Sequence, residues 1–213
     1  MGVGGRKMLD EVRPFLELAA LVLGIVNGVY IWRHYRRDRP KINVSFSHPE
    51  LYQWWFRLPP GEKEGKQTRR FGFLLYVGIS NSGLRTDTLA TWHLRVPLQN
   101  LRQPELKPLN IPPPVAKLPT GDAKVFHVLG QITPMHTEDL AIEPGRAIGG
   151  MAYYHLEVYG SAAWDPSIIG GKIRAELVVR TVLGQHARAP VTLHEVPLST
   201  VQEMVPGIER LPG

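Results

Sequence analysis

Cysteine is absent from all 213 residues, which rules out disulfides and thiolate metal sites. That suits a cytoplasmic domain without requiring one. Motifs that carry chemistry are missing as well. There is no His-Glu-x-x-His, no Gly-x-Ser-x-Gly, and no pair among the eight histidines placed with carboxylates at metal-ligand spacing. Gly170-Gly171-Lys172 lacks both the earlier glycine and the following Ser/Thr of a phosphate-binding loop, so it reads as a turn entering a strand. His93, His127 and His155 fall in strand patterns, and His136-Thr137-Glu138 and His194-Glu195 are too short to specify a site. No catalytic residue, cofactor or metal ligand is expected.

Long apolar runs are almost absent too. The exception is Phe15 to Trp32, FLELAALVLGIVNGVYIW, where only Glu17 is charged. Its 18 residues reach about 27 Å as a helix, close to the ~30 Å hydrocarbon core of a bilayer. The run reads as a single membrane-spanning helix. On a helical wheel Glu17, Ala20, Gly24, Asn27 and Gly28 share an arc of about 100°, and most of the rest is Phe, Leu, Val and Ile. Ala20, Gly24 and Gly28 form a small-xxx-small ladder with Asn27 beside it. This is a helix–helix seam, for self-association or for docking on a partner. Glu17 lies near the apolar edge with Arg13 one turn earlier, the arrangement of a snorkelling carboxylate. A cleaved signal peptide fits less well. Acidic Asp10 and Glu11 dilute the basic start, no A-x-A site follows, and a cluster of arginines comes directly after.

That cluster holds most of the charge asymmetry. Residues 1–41 contain eight Lys/Arg and four Asp/Glu, and the remainder is close to balanced at 17 and 15. The net +6 is therefore largely a juxtamembrane collar of Arg33, Arg36, Arg37, Arg39 and Lys41, suited to anionic headgroups. No basic face for nucleic acid is visible. Five basic residues follow the span and three precede it, which puts the C-terminal side in the cytoplasm. Tyr30, Trp32 and Tyr35 then sit at the inner interface, and the localisation is a plasma (inner) membrane.

Beyond the collar the pattern has period two. Pro40 stops the helix. Strands are predicted over Lys41–His48, Phe71–Ser80, Thr88–Val96, Lys124–Gly130, Ile148–Tyr159, Lys172–Val182 and Ala187–Val196. In Thr88–Val96 the inward set is Thr88, Ala90, Trp92, Leu94 and Val96. Leu51–Arg57 is aromatic and less periodic, and Pro59–Arg70 is a charged exposed turn. Gly149-Gly150 suggests a bulge. Seven prolines between 97 and 121 exclude a central strand and suggest a surface loop. Residues 198–213 have little pattern beyond a helical turn in VQEM. Trp54-Trp55 and Trp164 read as core or rim aromatics, and any that is exposed is the first interaction hot spot to test. Asn43-Val44-Ser45 is a glycosylation sequon, but it lies inside a strand.

These expectations divide the chain into 1–14 (flank), 15–32 (transmembrane helix), 33–41 (basic linker), 42–197 (β domain) and 198–213 (tail). The fold class is all-β, an antiparallel sandwich of seven to nine strands preceded by one transmembrane helix. LLYVGISNSGLRTDTLATWHLRV followed by LAIEPGRAIGGMAYY resembles the immunoglobulin-like domains of bacterial membrane-anchored and envelope proteins. In those, a strand ending in Asn-x-Gly precedes another, and a later Pro-Gly turn introduces a further one. The resemblance implies an interaction or envelope module and carries over no site residues. The expected function is a membrane-anchored interaction module, or a subunit of a membrane complex, whose partners are the bilayer, a second helix and an unknown protein. Two alternatives stand beside it. One is a tethered hydrolase or transferase with a site assembled from loop residues such as His136, Glu138, Asp139 and Asp165. The other is a lipid-binding module that uses the collar.

Overall fold

The computed structural model describes residues 4–46, 51–117, 121–130 and 140–211, with backbone only for 4–13, Arg37 and Lys117. The chain forms two compact units, Met1–Arg39 and Pro40–Gly213.

The first unit is one helix, α1, over Gly4–Arg37. It extends past both expected ends. Lys7, Met8, Leu9, Glu11 and Arg13 are strong helix formers, so the flank joins the helix. At the other end nothing breaks the turn until Pro40, which disfavours helical geometry in the residue before it. The first part of the predicted linker is therefore helical. Pro14 lies inside α1 and marks the start of its apolar part.

The second unit is mostly β. Its strands are β1 (Ile42–Phe46), β2 (Gln53–Lys63), β3 (Lys66–Asn81), β4 (Asp87–Arg95), β5 (Glu105–Leu106), β6 (Pro108–Leu109), β7 (Val115–Lys117), β8 (Ala123–Val125), β9 (Ala141–Ile142), β10 (Ala147–Val158), β11 (Lys172–Thr181) and β12 (His186–Glu195). Ten of them form one sheet along the path β5-β4-β11-β12-β2-β3-β10-β6, with β1 beside β3 and β9 beside β4. β7 and β8 pair separately. The strands outnumber the seven to nine expected because short edge pieces carry little periodicity. The sheet is also mixed rather than antiparallel, since β12 meets β2 in parallel at His194↔Trp54 and Glu195↔Trp55. Pro190 sits in a stretch of β12 that pairs with β11 but not with β2, whose contact begins at His194, so the missing N–H is tolerated there as on an edge.

β5 and β6 are the two ends of the sheet path, yet only Lys107 separates them in sequence. This short crossing pairs Leu106 with Leu94 of β4 and Leu109 with Tyr153 of β10. The sheet therefore wraps onto itself around one core. Phe71, Phe73, Leu75, Val77 and Ile79 of β3 meet Trp92 and Leu94 of β4, Leu177 and Val179 of β11, and Tyr154 of β10. The buried Tyr154 hydroxyl donates to the Trp92 carbonyl (3.2 Å) across this core.

A second cluster forms on the opposite face of β2, β3 and β10. Phe56, Leu74, Met151 and Tyr153 are covered by Ile111 and Phe126 and by Val201, Met204, Val205 and Ile208. The last four come from α2 (Leu198–Met204) and the turns after it. This corrects one expectation and extends another. The Pro-rich segment is not only a surface loop, because Leu106 and Ile111 are buried. The tail, expected to show little pattern beyond a helical turn in VQEM, keeps that turn within α2 and also covers the sheet as a lid. Its apolar residues are too few to show a period, but they find an apolar sheet face already in place.

Three local expectations also change. Pro59–Arg70 is hairpin ribbon rather than turn: β2 and β3 pair to Lys63↔Lys66 with a shift between Leu58 and Gly61 that accommodates Pro59 and Pro60. The turn itself is Glu64-Gly65, both at positive φ (54° and 73°). In β4 a shift opposite Arg180/Thr181 moves the inward phase onto Asp87 and Leu89 instead of Thr88 and Ala90. Gly149-Gly150 is not a bulge, since β10 keeps register with β3 through it. A Cβ at Gly150 would stand 2.8 Å from the His127 carbonyl oxygen, so the glycine permits a close backbone approach.

Candidate functional site

Pro14–Arg36 is 23 residues long, apolar and exposed throughout. It reaches about 35 Å, enough to cross a hydrocarbon core with some tilt. The expected seam lies open. Ala20, Gly24, Asn27 and Gly28 are exposed, and a Cβ built on Gly24 or Gly28 would meet nothing within 4 Å.

At the C-terminal end of α1 the collar is built into an aromatic ladder that the charge count alone does not reveal. The Arg36 guanidinium stacks 4.5 Å over Trp32 and that of Arg39 stacks 4.6 Å over Tyr35. Tyr30 and His34 are 4.4 Å apart. The sequence signal was the i,i+4 spacing of Trp32 with Arg36 and Tyr35 with Arg39. Arg33 is exposed beside them, and the side chains of Arg37 and Arg13 lie outside the described residues. Lys41, counted in the collar, is fixed by its backbone to the β unit. Its N–H donates to Asn81 Oδ1 (3.2 Å) and its carbonyl accepts from the Ser82 N–H (2.8 Å).

Of the residues of the alternative hydrolytic site, the described structure includes only Asp165. His136, Glu138 and Asp139 lie outside the described residues. Asp165 is held by Arg69 Nε at 2.7 Å, and the other Arg69 nitrogens donate to the Gly160 and Ser161 carbonyls (3.0 Å each). That set clamps a loop to β3 and leaves no free carboxylate. Beside it is a cavity of about 380 Å³ lined by Arg57, Phe71, Gln99 and Ile168. A larger groove of about 610 Å³ runs between Trp54, Val115, Thr200 and Met204. Neither gathers an acid–base pair. Among the described residues no group of three or more His, Asp and Glu is placed to hold a metal ion.

His93 faces outward in β4. Its Nδ1 lies 3.2 Å from Glu105 Oε2, and Glu105 also accepts from Arg95 Nε (2.9 Å) and faces Arg180 (3.5 Å). Hydrogen bonds from Arg95 and then His93 hold the Glu105 carboxyl below its ordinary range, and the same partner raises Arg95. At this exposure the network is a solvated face worth little in stability. His155 is different. Burial first, then the neighbouring Arg70, pushes its pKa down, and Arg70 Nε donates to its Nε2 at 3.3 Å. His127 is exposed. Of the tryptophans, Trp55 and Trp92 are buried and donate to the Gly171 and Leu129 carbonyls (3.0 and 3.2 Å). Trp164 is 38% exposed with Arg102 stacked 4.9 Å over it, which makes it the accessible aromatic to test first.

No family model and no curated protein matches the chain. Several solved structures overlap it, two of which serve as examples. One, a structural-genomics target, is 13% identical, covers 83% of this chain and 95% of its own, and has a TM-score of 0.30. The other, a Bordetella pertussis protein solved under the provisional name ApaA, is 15% identical, covers 74% and 96%, and has the same TM-score of 0.30. Overlap at that level carries no argument about this chain.

Proposed function

We propose that this chain is a single-pass, membrane-anchored β module that acts by binding protein at an inner membrane, as an interaction partner or as a subunit of a membrane complex. The observation that carries this reading is the bare helix. Thirteen large apolar side chains between Phe15 and Tyr35 are exposed. At about 1.5–3 kcal/mol each, burying them gains on the order of 20 kcal/mol or more over leaving them in water. Moving them into lipid or against another helix recovers that free energy, and this driving force supports the anchor reading. The stacked Arg36/Trp32 and Arg39/Tyr35 pairs match the chemistry of a headgroup interface and favour a retained anchor over a cleaved leader.

The β unit belongs in this reading with the immunoglobulin-like interaction domains. Support comes from the two turns on which the resemblance rests. The Gly145 N–H donates to the Asn81 carbonyl (2.8 Å), and the Asn81 N–H donates to the Arg146 carbonyl (3.0 Å). The C-terminal unit is placed in the cytoplasm on the strength of the collar.

The test is alkaline extraction of membranes from expressing cells, combined with a membrane-helix association reporter. The full chain should stay in the membrane pellet, and Gly24→Leu with Gly28→Leu should lower reporter signal several-fold. Release into the alkaline supernatant refutes the anchor. Unchanged association removes the seam.

A further inference from the structure

One end of the β unit combines exposed aliphatic and basic side chains with the point where the chain enters. Ile42 opens β1 opposite Asn81 at the end of β3, so Lys41 joins the unit there. Two turns project at this end. The turn between β3 and β4 carries Leu84, 54% exposed, next to the exposed Arg85. The turn between β11 and β12 carries Val182 and Leu183, 67% and 56% exposed.

Both turns are braced from behind. The Val182 N–H donates to the Thr88 carbonyl (2.9 Å) and the Leu183 N–H to Asp87 Oδ1 (3.3 Å). The Arg85 carbonyl accepts from Asn81 Nδ2 at 2.6 Å. Rigid backbone therefore presents the aliphatic groups outward instead of folding them back onto the core. The charged groups at this end are Lys41, Arg85, Arg146 and His186, the acidic Glu143 beside Arg146 (3.8 Å), and the buried Asp87. Basic groups around protruding aliphatics suit a surface that is apolar within and anionic at its rim.

From this we infer that Leu84, Val182 and Leu183 form a second membrane contact, dipping into the headgroup–acyl boundary while Lys41, Arg85 and Arg146 meet lipid phosphates. The inference rests on the anchor proposed above. Asp38 to Lys41 alone separate α1 from β1, a reach of no more than about 18 Å even when fully extended. The chain thus tethers these turns close to wherever α1 leaves the bilayer. The Glu64-Gly65 turn lies at the other end of β3, 16 residues or about 50 Å away, and carries charge in place of aliphatics.

The absence of native cysteine allows a direct test. Full-length Leu84→Cys, Leu183→Cys, Ile25→Cys and Glu64→Cys are each labelled with an environment-sensitive fluorophore. They are reconstituted into phosphatidylcholine–phosphatidylglycerol vesicles with and without spin-labelled lipid. The expected result is quenching at 84 and 183 several-fold stronger than at 64, and weaker on pure phosphatidylcholine. Quenching at 25 with 84 and 183 matching 64 overturns this inference and leaves the anchor standing. No quenching at 25 overturns the anchor, and this contact with it.

Discussion

Asn81→Ala should be among the most damaging single changes outside the apolar core. Asn81 is 1% exposed and uses its whole amide. Oδ1 accepts from the Lys41 N–H (3.2 Å) and the Gly83 N–H (2.9 Å), and Nδ2 donates to the Arg85 (2.6 Å) and Ile142 (2.9 Å) carbonyls. One side chain thus joins the start of β1, the β3–β4 turn and β9. Truncation to alanine leaves four backbone groups without partners. Water can reach those near Lys41 and Arg85, so about two carry a full desolvation penalty of roughly 1–3 kcal/mol each. A loss of about 3–4 kcal/mol follows, a large share of a typical 5–15 kcal/mol stability. With a urea slope of about 2 kcal/mol/M the unfolding midpoint should fall by about 1.5–2 M. Tryptophan fluorescence in detergent micelles reads this out, since Trp55 and Trp92 are buried. Asn81→Asp keeps the acceptor but turns a carboxylate toward two carbonyls, so it should cost at least as much. A midpoint within about 0.3 M of the parent for Asn81→Ala would refute the reasoning, because it implies that water replaces all four bonds at little cost.

Gly72→Ala should destabilise by about 1–3 kcal/mol, because its Cβ would clash with the ring of the fully buried Phe56; the same urea titration checks it. His155 has a folded pKa below its unfolded value near 6.5, so the unfolded chain takes up the proton first and stability declines as pH falls from about 7. His155→Gln should flatten that decline in pH-dependent melting. A peptide spanning residues 33–41 should bind anionic vesicles with up to about 1 kcal/mol per basic residue and release as salt is added; flotation at rising salt reads this, and insensitivity would remove the collar's lipid role.

The long apolar helix was readable in advance because a hydrophobic run of that length needs no partner elsewhere in the chain to declare itself. The same holds for β3 and β11, where five and four alternating apolar residues face the core. Signals weakened where partners were distant. The inward phase of β4 depends on a shift opposite Arg180/Thr181 of another strand. Gly149-Gly150 looked like a break because the neighbour that requires it, the His127 carbonyl, is remote in sequence. α2 shows no amphipathic period over seven residues, and only the apolar face of β2, β3 and β10 gives Val201 and Met204 somewhere to go.

By itself, then, the amino-acid sequence determined that one stretch is a long apolar helix, that basic charge gathers at one end of it, and that most of the remainder is strand and turn. Those are local properties of hydropathy, charge and period. Closure of the sheet through Glu105–Leu109, the lid over its second face, the role of Asn81 and the aliphatic end beside Lys41 were decided only in three dimensions. Each is a pairing of groups tens of residues apart, and such pairings leave no periodic trace along the chain.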